Sequence, residues 1–236
     1  MNNNNIEYII LDTETTGLGS TASIVEISAV DNLGRTVIDS LVNPGFPIPK
    51  EATAIHGITD AMVASAPTFD NIYPQLLDLL KYPCYIYNKG YDTKLIKQSA
   101  AQYGIEFDIG KYEFRCTMLA YSNKHSPEKW AKLSVAYQHA LAYLKLEPAP
   151  LKAHRALADC VMTLQVINFL EQERKDEEEL QAAKEFEHIQ EQIAQTIQSH
   201  SAPKFYQFNP NAIGSKHSGR FTINRNRSTQ TKQLKI

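Results

Sequence analysis

Cysteine is scarce in this 236-residue chain. Cys84, Cys116 and Cys160 are odd in number, far apart and without any C-x-x-C spacing, which excludes a disulfide framework and a zinc ribbon and leaves three thiols expected to be buried in a reducing compartment. Long apolar runs are also missing. No stretch approaches the ~18 consecutive apolar residues of a membrane span, and the opening MNNNNIEY has neither the basic nor the apolar region of a secretory leader, so no membrane is expected and the cytoplasm is the expected location. The ten glycines nowhere cluster into a phosphate-cradling loop, and there is no internal repeat. What remains is the composition of a globular protein: 43% hydrophobic residues, 21% charged residues and a net charge of -2, in a chain long enough for one large core and short for two full-sized domains.

Charge is balanced overall and segregated locally. Residues 171–200 carry nine acids and three bases, whereas 201–236 carry seven Lys or Arg and no acid. Upstream, β-rich runs at Ile6 to Leu11, Ser23 to Asp31 and Thr36 to Val42, separated by Gly-containing turns, predict a three-stranded antiparallel meander whose first strand ends at two acids. A Pro-rich loop, NPGFPIPKEATAIHGITD, leads to helical spacing in FDNIYPQLLDLL and a short strand, CYIY. The next helix starts near Asn88 or Asp92, turns Leu95, Ile96, Ala100 and Tyr103 inward, and is capped by Gly104. YEFRCTMLAY reads as a strand entering a helix, KLSVAYQHALAYL as a further helix, and HRALADCVMTLQVINFLEQE as a long amphipathic one packing through Ala158, Val161, Met162, Val166 and Phe169. This predicts an α/β domain with a mixed sheet over residues 1–172. An acidic amphipathic extension follows over 173–200, with a stripe of Phe186, Ile189, Ile193 and Ile197 expected to pack on its own domain or to form a self-association or partner surface. A basic, flexible tail over 201–236 ends the chain. Its charges suit a phosphate backbone, and Phe205, Tyr206, Phe208 and Phe221 suit stacking on bases. The alternative is that it folds back on the acidic helix.

IILDTETTGL carries an apolar run straight into Asp12 and Glu14. Side chains alternate along a strand, so the two carboxylates share a face and repel at neutral pH unless something positive lies between them. Taken alone, such a pair is most often a solvated strand end. Asp92 alone could be a helix-start acid favoured by the macrodipole, and His154 a surface residue. Asp159 lies in ALADCVM, where an unpaired charge among small and apolar residues is unusual.

Together, D-x-E on a first strand, D at a mid-chain helix and H-x4-D at a late helix resemble the DEDDh branch of the DnaQ-like 3′-5′ exonucleases. The resemblance runs over about residues 6–170, through DTETTGL with IVEISAV, AIHGITDAMV with APTF, YNKGYDTKLI and HRALADC. RCTMLAY and HRALADCVMT look most like the exodeoxyribonuclease X branch. The family's second motif usually carries His and Phe where this chain has Tyr87 and Tyr91, changes expected to affect packing or substrate contact more than metal binding.

The resemblance implies a ribonuclease H-like fold and stepwise hydrolysis from a free 3′ end, releasing 5′-mononucleotides. It implies two divalent ions, Mg²⁺ with Mn²⁺ substituting, which suits hard oxygen ligands. Asp12 would bridge both, Glu14 and Asp159 would complete the nucleophile side, and Asp92 would support the other. His154 would be the general base, and since an unperturbed imidazole titrates near pH 6.5, activity should fall below about pH 6. Thr15, Thr16, Gly17 and Leu18 match the segment that offers backbone N–H groups and an apolar wedge to the terminal nucleotide. His56 is placed against substrate or as a loop stabiliser, Asn88 among the substrate contacts, and Lys89 and Lys94 near phosphates or in solvent. Single-stranded DNA is the favoured substrate. The alternatives are an RNA 3′-end trimming enzyme, or a proofreading or accessory subunit bound to a polymerase or repair complex through residues 180–197.

Overall fold

The computed structural model describes residues 6–150 and 154–200; the basic segment 201–236 lies outside them. Five strands form one sheet in the order β3-β2-β1-β4-β5. The meander comprises β1 (Ile9–Thr15), β2 (Ile24–Asp31) and β3 (Thr36–Leu41), each antiparallel to its neighbour. On the other side of β1, β4 (Cys84–Ile86) and β5 (Phe114–Cys116) run parallel to it. This is the mixed, ribonuclease H-like sheet expected from the sequence. Parallel neighbours need crossover connections, whose helices cover one face of the central strands, while the C-terminal helix covers the other.

Alternation along β1 assigns the faces. Ile9 and Leu11 join the core with Phe69, Ile72 and Leu76 of helix α3 (Phe69–Leu79) and Leu95, Ile96 and Ala100 of α4 (Lys89–Ala101). Ile10 faces the other way and packs with Val30 and with Cys160, Leu164 and Ile167 of the long helix α7 (Ala156–His200). A strand of period two therefore sends Asp12 and Glu14 to the α7 side and Thr13 to the α4 side. The acids sit inside the strand rather than ending it. β2 continues to pair with β1 through Glu14, opposite Glu26, and the ladder slips between Glu14 and Thr15, a local irregularity of the kind that re-aims side chains beside active sites.

Between β3 and α3 the Pro-rich segment holds two helices absent from the sequence reading, α1 (Lys50–His56) and α2 (Asp60–Val63). They are seven and four residues long, too short to display a 3.6-residue period, and with Ile58 between them they pack Ala52 and Val63 on Val25. Three further details differ from expectation. Helix α4 ends at Ala101 with Gln102 as its C-cap, and Gly104 takes its positive φ of 68° in the turn beyond. Tyr103 is 36% exposed, and Cys116 is only partly buried whereas Cys84 and Cys160 are fully so.

Helices α5 (Thr117–His125) and α6 (Leu133–Leu144) form a second core with the start of α7. At its centre Phe169 is fully buried, its ring 4.7 Å from that of His139, 5.0 Å from Tyr143 and 5.2 Å from His125. Truncation to Phe169→Ala should cost about 3–5 kcal/mol, read as a lower urea midpoint. A loss below about 1 kcal/mol would show that this cluster is not a packed core.

Helix α7 continues unbroken from the domain into the acidic segment, as its helix propensity predicts. The first compact unit extends to Lys184, and within it Lys124 reaches Glu173 at 2.9 Å and Glu177 at 2.8 Å, and Tyr143 donates to Asp176 at 2.6 Å. The second unit begins at Glu185. There Phe186, Ile189, Ile193 and Ile197 are 48–62% exposed. No described helix is long and apolar enough to cross a membrane.

Candidate active site

The strand geometry and the N-terminus of α7 bring three acids together. Carboxylate oxygens of Asp12, Glu14 and Asp159 lie within 4.8 Å of one another. Asp159 reaches the cluster from the first turn of α7, and its Oδ1 is buried without a hydrogen-bond partner. A buried, unpartnered oxygen costs about 1–3 kcal/mol, so one at the centre of an acidic cluster marks a place for a cation. Asp92, buried at the start of α4, approaches from the other side of β1. Its Oδ1 accepts from the backbone N–H and the hydroxyl of Thr13 at 3.1 and 2.8 Å, which fixes the carboxylate beside the strand.

Electrostatics show the strain of this arrangement. Burial, then the charges of Asp92, Asp159 and Glu14, hold the Asp12 carboxyl well above the usual carboxylate range. Burial with the neighbouring acids lifts Glu14 to about 8. Asp92 is lifted by burial to about 7 against the opposing hydrogen bonds from Thr13. Asp159 is lifted by burial to about 6, with the charge and backbone hydrogen bond of His154 pulling the other way. An oxygen-only donor set with an orphaned oxygen and suppressed ionisation fits hard divalent cations. These residues could hold them.

A pH effect on stability follows. An acid raised in the folded state binds more protons folded than unfolded between its two pKa values, so its stabilising contribution is complete below the unfolded value near 4 and is lost as pH rises through the folded one. With Asp159, Asp92 and Glu14 at about 6, 7 and 8, the metal-free protein should lose several degrees of Tm between about pH 5.5 and pH 8.5. Since ligands must be deprotonated to bind metal, the Tm gain on adding Mg²⁺ or Mn²⁺ should grow over the same window. Differential scanning fluorimetry with EDTA and with metal checks both, and a metal-free Tm that rises with pH would contradict the cluster.

His154 sits at the bend before α7 with φ +60° and an exposed side chain. It lines a hollow of about 520 Å³ with Asp159, Asn88 and Tyr87. Its placement depends on two residues that sequence reasoning did not single out. Glu26, 2% exposed in the middle of β2, accepts from Arg155 Nε at 3.0 and 3.1 Å and from the Ala156 backbone N–H at 2.9 Å. The bond ties the residue next to His154, and the first turn of α7, to the strand beside Glu14. The available signal was a lone acid inside the apolar run IVEISAV.

The expected substrate-contact residues divide into two groups. Leu18 is 78% exposed, and Gly17 has φ +140°, a conformation that side chains rarely adopt. Asn88 is exposed at the N-cap of α4. By contrast, Thr15 and Thr16 are buried, and the Thr16 N–H is already bonded to the Ser23 carbonyl at 2.9 Å while its hydroxyl accepts from the Ser23 N–H at 3.0 Å. His56 is 2% exposed. Its Nδ1 accepts from the Ile58 N–H at 3.0 Å and its Nε2 lies 3.3 Å from the Thr15 carbonyl, which fixes a neutral tautomer with Nε2 donating. Burial correspondingly lowers its pKa. These are the contacts of a loop stabiliser. Lys94 donates to the Leu18 carbonyl at 3.2 Å. The two tyrosines that depart from the family pattern both use their hydroxyls: Tyr91 donates to the Gly17 carbonyl at 3.0 Å and Tyr87 to the Ala131 carbonyl at 2.8 Å. A larger hollow of about 730 Å³ between Thr21, Phe46, Gln98 and Tyr103 contains none of the acids.

Comparisons with known proteins identify the family. The chain is 45% identical over 175 residues to an uncharacterized exonuclease of Escherichia phage 186, a match covering 70% of this chain and 88% of that protein. It is 31% identical over 160 residues to exodeoxyribonuclease 10 of Escherichia coli K12, covering 65% of this chain and 64% of the relative. Among solved structures, exonuclease X in complex with 5′ overhanging duplex DNA superposes with a TM-score of 0.51 at 30% identity, over 69% of this chain and 90% of that one. The profile of the exonuclease family (RNase_T) matches residues 9–167, the span that carries the three clustered acids, Asp92 and His154, and the chain belongs to that family.

Proposed function

We propose that the chain is a metal-dependent exonuclease that works in the 3′-5′ direction, hydrolysing phosphodiester bonds from a free 3′ end, on DNA in preference to RNA, and releasing 5′-mononucleotides. One observation carries the reading: carboxylate oxygens of Asp12, Glu14 and Asp159 converge within 4.8 Å, with Asp159 Oδ1 unpartnered. Asp12, Glu14, Asp159 and Asp92 would hold two divalent ions, Mg²⁺ or Mn²⁺. The chemistry such a pair supplies when bound is acidification of a water and neutralisation of charge at the phosphate. His154, exposed at the edge of the cluster, takes the proton of the attacking water. Leu18 projects as the apolar wedge beneath the terminal base, and Gly17 lets the backbone come close to the sugar. Asn88 lines the same hollow as His154 and Asp159. The DNA preference is supported by the likeness to the exonuclease X complex. Three free thiols, two of them fully buried, support a reducing, cytoplasmic setting.

The exposed stripe on 186–197 supports a second, compatible role in self-association or in a polymerase or repair complex, where proofreading would combine both. A monomer at high concentration in size-exclusion chromatography with light scattering would count against self-association. The enzymatic reading is tested by a time course on 3′- and 5′-labelled single-stranded DNA, duplex DNA and RNA, with Mg²⁺, Mn²⁺ or EDTA. Metal-dependent shortening from the 3′ end is expected. Cleavage from the 5′ end, or none on any substrate, would overturn it.

A further inference from the structure

The chain has a single tryptophan, and it is placed against the usual preference of its residue type. Trp130 is 71% exposed, although an indole is among the side chains with most to gain from burial. Its backbone is nonetheless held on both sides. The Lys129 carbonyl accepts from the Ser126 hydroxyl at 2.8 Å, the Ala131 N–H donates to Ser122 Oγ at 3.1 Å, and the Ala131 carbonyl accepts from the Tyr87 hydroxyl at 2.8 Å. Ala131 itself is buried. An anchored backbone thus presents an uncovered ring.

The ring borders the hollow of about 520 Å³ whose other walls include His154, Asp159 and Asn88, with Lys132 beside it. Catalytic candidates and an exposed indole therefore share one space. A flat aromatic face next to a cation is what an unpaired base and its phosphate require, since every base has a π-face and stacking is tolerant of sequence. An apolar protein side chain would also cover an indole, but at this position it would compete with the substrate for the hollow that His154 lines.

We propose that Trp130 is a stacking platform for an unpaired nucleobase of the strand whose 3′ end lies at the acidic cluster, with Lys132 meeting the adjoining phosphate. This rests on the nucleic-acid reading above and adds a substrate-contact residue on the α5–α6 connection, opposite the Leu18 wedge in role. The Tyr87 hydroxyl, absent from the His usual at that position in the family, serves this platform by gripping Ala131.

Because Trp130 is the only indole, its fluorescence reports on this residue alone. Full-length protein in EDTA is titrated with a fluorescein-labelled single-stranded oligonucleotide, anisotropy measuring binding, and in parallel with the unlabelled oligonucleotide, indole emission measuring stacking. Saturable quenching is expected at the concentrations where anisotropy rises, and an oligonucleotide with abasic sites in its last 3′ positions should bind with little quenching. Trp130→Ala should weaken binding by roughly 5- to 100-fold, the range for loss of one base–aromatic stack, while Trp130→Tyr stays within about threefold. Neither change should alter Tm, the ring being exposed. Binding with unquenched emission, quenching equal with the abasic strand, or Trp130→Ala binding as tightly as wild type would each overturn the platform alone. Absence of any binding by anisotropy would also overturn the platform, whereas the nucleic-acid reading itself stands or falls on the metal-dependent cleavage assay above.

Discussion

Asp12→Asn is expected to lower activity by about 10³-fold or more while raising the Tm of the metal-free protein at pH 8. The two effects have one cause. The Asp12 carboxyl is held well above the usual carboxylate range by burial and by Asp92, Asp159 and Glu14. The unfolded chain ionises it freely at pH 8, so folding without metal either retains a proton against the solution or accepts an unfavourable buried charge. Asparagine keeps the shape, removes that charge and relieves its three neighbours. The rate moves the other way because the carboxylate is a proposed ligand. A bound metal would supply several kcal/mol of charge stabilisation, and at about 1.4 kcal/mol per tenfold losing one of its proposed ligands costs about three decades. The stability gain should shrink toward pH 5, where the wild-type group is protonated in the fold. Metal should raise the Tm of wild type more than that of the variant. Activity within about tenfold of wild type, or a metal-free Tm below wild type at pH 8, would refute the assignment.

Much of this was legible in the sequence, for reasons that differ by element. The period-two run into Asp12 and Glu14 showed which acids share a face, because strand geometry is fixed locally; the observed strand ran on to Thr15 because β2 continued to pair with it, a tertiary fact. Asp159 was conspicuous as a charge among apolar residues. Short helices α1 and α2 were not legible, being held by Val25 and the loop's own burial rather than by a periodic pattern. His56 could be read either way until its two ring nitrogens were found bonded within the chain. The stripe at 186–197 was visible as a period, but a period cannot say whether a face is covered. Glu26 was hidden by its setting in an apolar strand, and its partner lies 129 residues away.

That partnership carries the second large effect. Arg155→Met should destabilise the protein by about 3 kcal/mol, the lower end of the range for breaking a buried pair, because the Arg155 side chain is 34% exposed while that of Glu26 is 3% exposed. Without the guanidinium, the Glu26 carboxylate keeps only the Ala156 N–H and faces Glu14 across the β1–β2 ladder. Its charge already pushes up Asp12, Glu14 and Asp159, so the loss of Arg155 should also weaken metal-free stability most at high pH. The double variant Glu26→Leu/Arg155→Met separates the pair's two contributions. Replacing both partners by apolar groups removes the stranded charge and should recover most of the stability, with a coupling energy measurable in a double-mutant cycle. Activity should not recover with it, because the bend that carries His154, at φ +60°, would no longer be tied to the strand beside Glu14. Urea denaturation and kcat measured on all four proteins give the result. If the double variant regained full kcat, the pair would be structural only, and if the single variant unfolded at the wild-type midpoint, Glu26 would not depend on Arg155 for its burial.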